Sequence, residues 1–254
     1  MSTGVLIYCF NSEKILYHPV ANFCINQVKQ NLRLPVTVIT NSITKDYLIG
    51  ANNVIVIENK SGNKRVYNEE LTEWFNLERS QAYDYTPYDT TILMDADYFV
   101  YTDNLLQLTN TDYDFLLHDK VHDLTNRHSY EYHDRSMIPL VWATVTIFKK
   151  NIRTKSVFDL IKHIQQHYGH YCRLFRIDFR NFRNDYAFAI AMRLLNIKNF
   201  IPTPMATLAI NCQILEINKN GIKFQYKDSN GENTVGMIQQ QDVHVMNKEI
   251  PFNV

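Results

Sequence analysis

The chain is poor in cysteine. Cys9, Cys24, Cys172 and Cys212 are scattered without Cys-x-x-Cys spacing, so neither a zinc ribbon nor a disulfide framework is indicated, and reduced thiols in a cytoplasm are expected. An excess of one charge is also missing: 26 basic residues meet 26 acidic ones, which gives no overall field toward nucleic acid or an anionic membrane. No apolar run approaches the roughly 18 residues of a membrane span, and the N-terminus lacks the basic region and long apolar core of a secretory signal. A soluble cytoplasmic protein without stable membrane insertion is the expectation. Neither an internal repeat nor a low-complexity linker interrupts the 254 residues, a length that fits one domain with a substantial core.

What is present is an alternation of short β-branched runs with helix-like stretches. Gly4 to Phe10, Val36 to Thr40 and Val54 to Glu58 read as strands, and Val20 to Leu32 as a helix. Near-continuous apolar strands between helices predict an α/β fold with a mostly parallel sheet covered on both faces. Leu71 to Tyr85 carries Leu71, Trp74, Phe75, Leu77 and Ala82 at helical spacing ahead of Pro87, and predicts a helix. Asp103 is placed to cap a short helix bearing Leu105, Leu106 and Leu108. Asp114 to Leu117 and Val141 to Lys149 read as strands, Asn151 to Phe175 as containing a long helix, and Asn184 to Leu195 as a buried helix. The C-terminal stretch is β-rich, with a turn at Lys219-Asn220-Gly221. His118 to Pro139 is polar, histidine-rich and without period, and is expected to be a long loop.

The chemistry concentrates where one apolar strand runs into two acids, Thr90-Thr91-Ile92-Leu93-Met94-Asp95-Ala96-Asp97. On an extended strand the side chains at i and i+2 point the same way, so these carboxylates repel each other unless a cation lies between them. Hard carboxylate oxygens suit Mg2+ or Mn2+ carrying a phosphate-bearing ligand. Ligands of parallel sheets bind beyond the carboxyl ends of the strands, which places Phe10-Asn11 and Asp95-Ala96-Asp97 at one crevice. The competing reading is an ordinary Asp-x-Asp after a strand, because the motif is short.

Taken in order, the residues resemble the glycosyltransferases of the GT-A fold. The resemblance is carried by Cys9-Phe10-Asn11 ending the first strand, Arg79, Asp95-Ala96-Asp97, the strand at Val141 to Phe148, Asp185, and Val243-His244-Val245-Met246-Asn247-Lys248. The pattern is most similar to small metal-dependent transferases related to glycogenin and to bacterial galactosyltransferases. This implies a Rossmann-like α/β catalytic domain over 1–254, with 1–100 as the nucleotide-binding half and 101–254 as the acceptor half and C-terminal metal-ligand strand. It implies Asp97 and His244 as metal ligands, and Asp95 as a ligand of the metal, the donor ribose or both. Imidazole among the ligands favours Mn2+ over Mg2+. Phe10 would stack on the base and Asn11 read its edge, Arg79 would meet base, ribose or phosphate, and Lys248 the diphosphate. Family members often carry His-x-x-Gly-x-Lys where this chain has His244, Asn247 and Lys248, so the histidine is the better match. Asp185 is implied as the catalytic carboxylate: a base in an inverting enzyme, or a sugar contact and charge stabiliser in a retaining one. The position of His244 tilts toward retention, and the implied donor is a nucleoside diphosphate sugar, a UDP-sugar first.

Each assignment has a plainer counterpart. Phe10 is also a packing residue, Asn11 and Asp185 helix caps, Arg79 a solvated helix arginine, and His244 a hydrogen-bonded strand histidine. Lys64 and Arg65 lie in a basic segment that could close over phosphates, and the 118–139 segment is the candidate lid, with Trp142, Tyr130 and Tyr132 as flat faces for a sugar. His118 and His122, with His128 and His133 nearby, have a zinc-like spacing but no thiolate or helical pattern to support it. A metal-dependent nucleotidyltransferase is the rival activity, although Cys9 to Lys14 contains no glycine for a triphosphate-wrapping loop. A non-catalytic nucleotide- or carbohydrate-binding protein is the other. The acceptor stays open among glycan, protein and modified nucleic acid. The last would need Lys149, Lys150, Arg153, Arg173, Arg176, Arg180 and Arg183 to form one basic face.

Overall fold

The structure is a computed structural model describing residues 2–58, 63–67, 70–75, 77–126, 138, 140–177 and 181–252, with residues 65–67, 70–72 and 74 described by their backbone alone. In chain order the elements are β1 (Thr3–Tyr8), α1 (His18–Gln27), β2 (Val36–Thr40), β3 (Asn53–Val56), β4 (Asn63–Tyr67), β5 (Glu70–Trp74), α2 (Ala82–Tyr85), β6 (Thr90–Asp95), β7 (Tyr98–Phe99), α3 (Asn104–Thr109), β8 (Phe115–His118), β9 (Val121–Asp123) and β10 (Trp142–Lys149). They continue with α4 (Ile152–Gln166), α5 (Tyr168–Phe175), α6 (Asn184–Leu194), β11 (Met205–Leu208), β12 (Gln213–Asn218), β13 (Gly221–Lys227), β14 (Asn233–Gln239) and β15 (Val243–Val245).

Six strands form the central sheet in the order β3-β2-β1-β6-β10-β8. β1, β2, β3 and β6 run parallel, and β10 is antiparallel to both β6 and β8. The all-buried sequence of β2 and the buried centres of β1 and β6 are what a two-sided sheet requires. Val5, Ile7, Val38, Ile92 and Met94 face one core with α1, whereas Leu6, Ile39 and Leu93 face another with α4 and α6. Each such fully buried aliphatic side chain contributes about 1.5–3 kcal/mol relative to exposure. A smaller sheet, β7-β15-β11-β9, and the antiparallel β12-β13-β14 complete the C-terminal part. The mostly parallel sheet with helices on both faces, and a β-rich C-terminal part, is the α/β architecture expected from the sequence.

Several elements differ from expectation. Leu71 to Tyr85 is not one helix: Glu70–Trp74 pairs as β5 with β4, and helical backbone begins only at Leu77. Its apolar spacing suited a helix, but a partner strand was available in the basic segment that holds Lys64 and Arg65, and pairing sets Lys64 opposite Glu73. The long helix within Asn151 to Phe175 breaks at His167 (φ −116°, ψ 29°), which lets Tyr168 turn inward onto Phe182 at 5.1 Å. Asn151 caps α4 by accepting the Thr154 N–H at 2.9 Å. Asp103 precedes α3 without capping it, its carboxylate accepting instead from the Gln107 amide at 3.1 Å. The helix read over Val20 to Leu32 ends in a wider π-type turn, Val28–Leu32, closed by Arg33 in the left-handed region. The expected loop from His118 is shortened by β9, and most of the rest of it, with His128, Tyr130, Tyr132 and His133, lies outside the described residues. The four cysteines are buried and unbridged, and among the described residues no helix is long and apolar enough to cross a membrane.

Gly4 of β1 lies under the Tyr88 ring, whose hydroxyl meets the Thr37 hydroxyl at 2.8 Å. A Cβ at Gly4 would come within 2.3 Å of that ring. Gly4→Ala is therefore expected to lower stability in urea unfolding by about 1–3 kcal/mol, and by much less in a Tyr88→Ala background.

Candidate active site

The central sheet changes direction of construction between β1 and β6, because β2 and β3 extend one side and β6 begins the other. Crevices at such points are where ligands bind in open α/β sheets. Tyr8 and Asp95 close the two strands opposite each other. β15 then returns beside β7, pairing His244 with Tyr98, while the Val245 N–H donates to the Asp97 carbonyl at 2.9 Å. A short strand late in the sequence thus carries His244 to the Asp-x-Asp. The cavity above them encloses about 400 Å³. Phe10, Arg79, Asp95 and Asp97 line it from the N-terminal half, and Trp142, Asp185, His244 and Lys248 from the C-terminal half.

Each carboxylate of the pair has its own cation. Arg79 is buried, with Nη1 donating to Asp95 Oδ1 at 2.5 Å and Nη2 to the carbonyls of Ala143 and Thr144, the latter at 3.1 Å. Lys248 donates to Asp97 Oδ2 and to the Val245 carbonyl at 3.1 Å. Recession from water raises the Asp95 carboxyl above its usual range, Arg79 opposes that, and the Asp97 charge adds to it. Burial pushes Asp97 the same way, but the Lys248 ammonium and His244 outweigh it and hold the carboxyl well below the usual range. The Lys248–Asp97 pair, buried at both ends, is sensitive to losing one member, typically by about 3–5 kcal/mol, because the other is left as an uncompensated charge.

A divalent metal fits this donor set. Asp97 Oδ1 is buried and accepts no hydrogen bond, and His244 Nε2 stands 3.5 Å from it, beyond good hydrogen-bond range. Ligands on one ion with bonds of about 2.0–2.2 Å stand roughly 3–4 Å apart. The ligand atoms of Asp95, Asp97 and His244 all lie within 4.8 Å of one another, the one such group among the described residues.

The other sequence candidates separate. Asp185 lines the cavity from the first turn of α6, one residue past the helix start, so it is not the N-cap; its Oδ1 accepts the Ala143 N–H at 3.0 Å and its Oδ2 meets Arg183 at 3.3 Å. Phe10 lines the cavity beside Phe75 at 6.1 Å. Asn11 is not among the lining residues: its Oδ1 accepts the N–H groups of Tyr17 and His18 at 2.9 and 3.0 Å, fastening the start of α1. Arg79 is not the solvated arginine of the plainer reading: it is buried, paired with Asp95, and lines the cavity. Lys64 is exposed on β4, Arg65 has only its backbone described, and residues 59–62 before them lie outside the described residues. The basic set is dispersed: Lys149 donates to the Thr111 carbonyl, Lys150 to that of Thr86 at 2.9 Å, Arg183 turns to the cavity, and Arg180 lies outside the described residues. Cavity residues the sequence did not single out include Tyr17, Glu73 and Ile210. Glu73 and Phe75 arrive through the β4–β5 hairpin.

His118 and His122 do not form a zinc pair. His118 is buried, its Nδ1 bonded to the Thr203 carbonyl at 3.1 Å, while His122 is exposed on β9.

No protein-family model and no curated protein matches the sequence. Among solved structures the chain is similar over 79% of its length to the glycosyltransferase GlyE of Streptococcus pneumoniae TIGR4, with 9% identity and a TM-score of 0.45. It is similar over 78% to the galactosyltransferase LgtC in complex with donor and acceptor sugar analogues (13%, 0.49), and over 75% to the bifunctional IspDF of Campylobacter jejuni (13%, 0.41). The chain spans 45% of the GlyE chain, 72% of LgtC and 47% of IspDF. These likenesses lie in the course of the backbone, and the reading of the site rests on its side chains.

Burial pushes the His118 imidazole down to about 4. An unfolded histidine takes its proton near ~6.5, so between these values the unfolded state binds more protons and stability is lost as pH falls. Urea unfolding should show a loss approaching ~3 kcal/mol from pH 7.5 to 4.5 that His118→Asn largely removes. An unchanged pH slope in the variant would contradict this.

Proposed function

We propose that this chain is a divalent-metal-dependent glycosyltransferase that moves a sugar from a nucleoside diphosphate donor, UDP-linked in the first instance, to an acceptor hydroxyl. The observation that carries the reading is the convergence of Asp95, Asp97 and His244 on the floor of a cavity at the switch point of the sheet. The size suits a small-molecule site, commonly about 300–1,000 Å³. Asp95, Asp97 and His244 would hold the metal, with Mn2+ favoured by the imidazole. A bound ion supplies charge neutralisation on the diphosphate leaving group.

The protein's own groups do the rest. Arg79, fixed by two carbonyls, aims Asp95 and lines the cavity beside it. Phe10 and Phe75 offer an aromatic wall to the nucleotide, and Trp142 a flat face to a sugar. Asp185, oriented by the Ala143 N–H and Arg183, presents a carboxylate near which positive charge at the anomeric carbon is stabilised, in keeping with retention of configuration. Lys248 is within the same cavity and supplies a point charge to the diphosphate.

Calorimetric titration with UDP, GDP, CDP and ADP, each with Mn2+, Mg2+ or chelator, tests the reading. One diphosphate should bind in a metal-dependent way, and Asp97→Ala should weaken that binding by roughly 100-fold, about 2.7 kcal/mol. Failure of every diphosphate to bind with any metal would remove the transferase reading.

A further inference from the structure

The two cations that accompany the carboxylates are not equivalent. Arg79 is bonded to main-chain carbonyls on β10 and lies under Asp95, so it is part of the frame. Lys248 reaches Asp97 from beyond the end of β15, tethered by the Val245 carbonyl of its own turn. Its ammonium sits on Oδ2 of the carboxylate whose other oxygen faces His244 Nε2. Paired in this way, Arg79 with Asp95 and Lys248 with Asp97 sum to no net charge. A divalent ion entering beside Asp97 Oδ1 meets a carboxylate already shared with one cation, and the two positive centres repel across a few ångströms of protein, where screening by water is poor.

Resting on the metal-dependent reading above, we propose that Lys248 is a resident counter-ion that competes with the divalent metal for Asp97 and so makes tight metal binding conditional on the nucleotide. With no nucleotide the lysine satisfies the carboxylate and the metal is held weakly. When a nucleoside diphosphate brings its own negative charge, the ammonium has a second anionic partner, Asp97 is released to the ion, and metal and nucleotide bind cooperatively. Such coupling is reciprocal: whatever factor the nucleotide adds to metal affinity, the metal adds to nucleotide affinity.

The test is a Mn2+ titration followed by the free-ion electron paramagnetic resonance signal, on wild type, Lys248→Met and Lys248→Gln, without nucleotide and with UDP. The proposal expects both variants to bind Mn2+ alone about tenfold more tightly or better, since a neighbouring unit charge commonly shifts an ionic equilibrium by one to three decades. It also expects the enhancement of Mn2+ affinity by UDP to shrink in both. Thermal melting in chelator gives a readout without activity: Lys248→Met should melt below wild type and recover on adding Mn2+. His244→Ala, which should weaken Mn2+ in every background, shows that the titrated ion is at this site. Mn2+ affinity without nucleotide that is unchanged or weaker in the lysine variants, yet still sensitive to His244→Ala, overturns the competition and leaves the metal site standing. Absence of any His244-sensitive Mn2+ binding, with or without UDP, overturns the metal-dependent reading itself and the proposal with it.

Discussion

Two carboxylates one residue apart at the mouth of a parallel sheet repel each other and lose hydration as the chain folds, so the fold must supply positive charge to both. Much of the architecture around the cavity answers that requirement. Arg79 is drawn into the core to bind Asp95 and two carbonyls of β10. The C-terminal strand β15 closes the smaller sheet in a register that sets His244 against Asp97, and the turn after it returns Lys248 to the same carboxylate. Cations drawn from a helical turn before the acidic strand and from the end of the chain tie the two halves of the protein to one point.

The same arrangement accounts for why the site is built where it is. β1 and β6 are neighbours in the sheet, so their carboxyl ends open one crevice, and the antiparallel β10 places its Ala143 and Thr144 carbonyls at the far wall. Ala143 is used twice, its carbonyl accepting from Arg79 and its N–H donating to Asp185. A single residue therefore links the orientation of the Asp-x-Asp pair to that of the third carboxylate, and a shift of β10 would move both.

The sequence made part of this legible and left part hidden for physical reasons. Short apolar strands such as Val36–Thr40 stand where hydrophobic period and β-branching put them, and the Asp-x-Asp is visible because a buried strand ending in acids is locally distinctive. His244 was found only through an ordered resemblance, since nothing local to Val243–Val245 marks it as a ligand. The β4–β5 hairpin was missed because Leu71, Trp74 and Phe75 fit a helical period equally well, and the decision lies in a pairing that local spacing does not contain. Asn11 and Arg79 were legible as polar residues near the crevice, but which partner each takes depends on how the chain folds back: Tyr17 and His18 at the start of α1, and Thr44, for one, Ala143 and Asp95 for the other. Local pattern specified the elements, and long-range pairing specified the roles.

The central claim is that one divalent ion is held jointly by the Asp-x-Asp, His244 and a nucleoside diphosphate. Pulsed electron paramagnetic resonance of Mn2+ with UDP on the wild-type protein addresses it directly. The account predicts a nitrogen coupling from one coordinated imidazole, lost in His244→Ala, together with a phosphorus coupling from the diphosphate. A spectrum with phosphorus coupling alone, the same as that of Mn2+ with UDP in buffer, would contradict it.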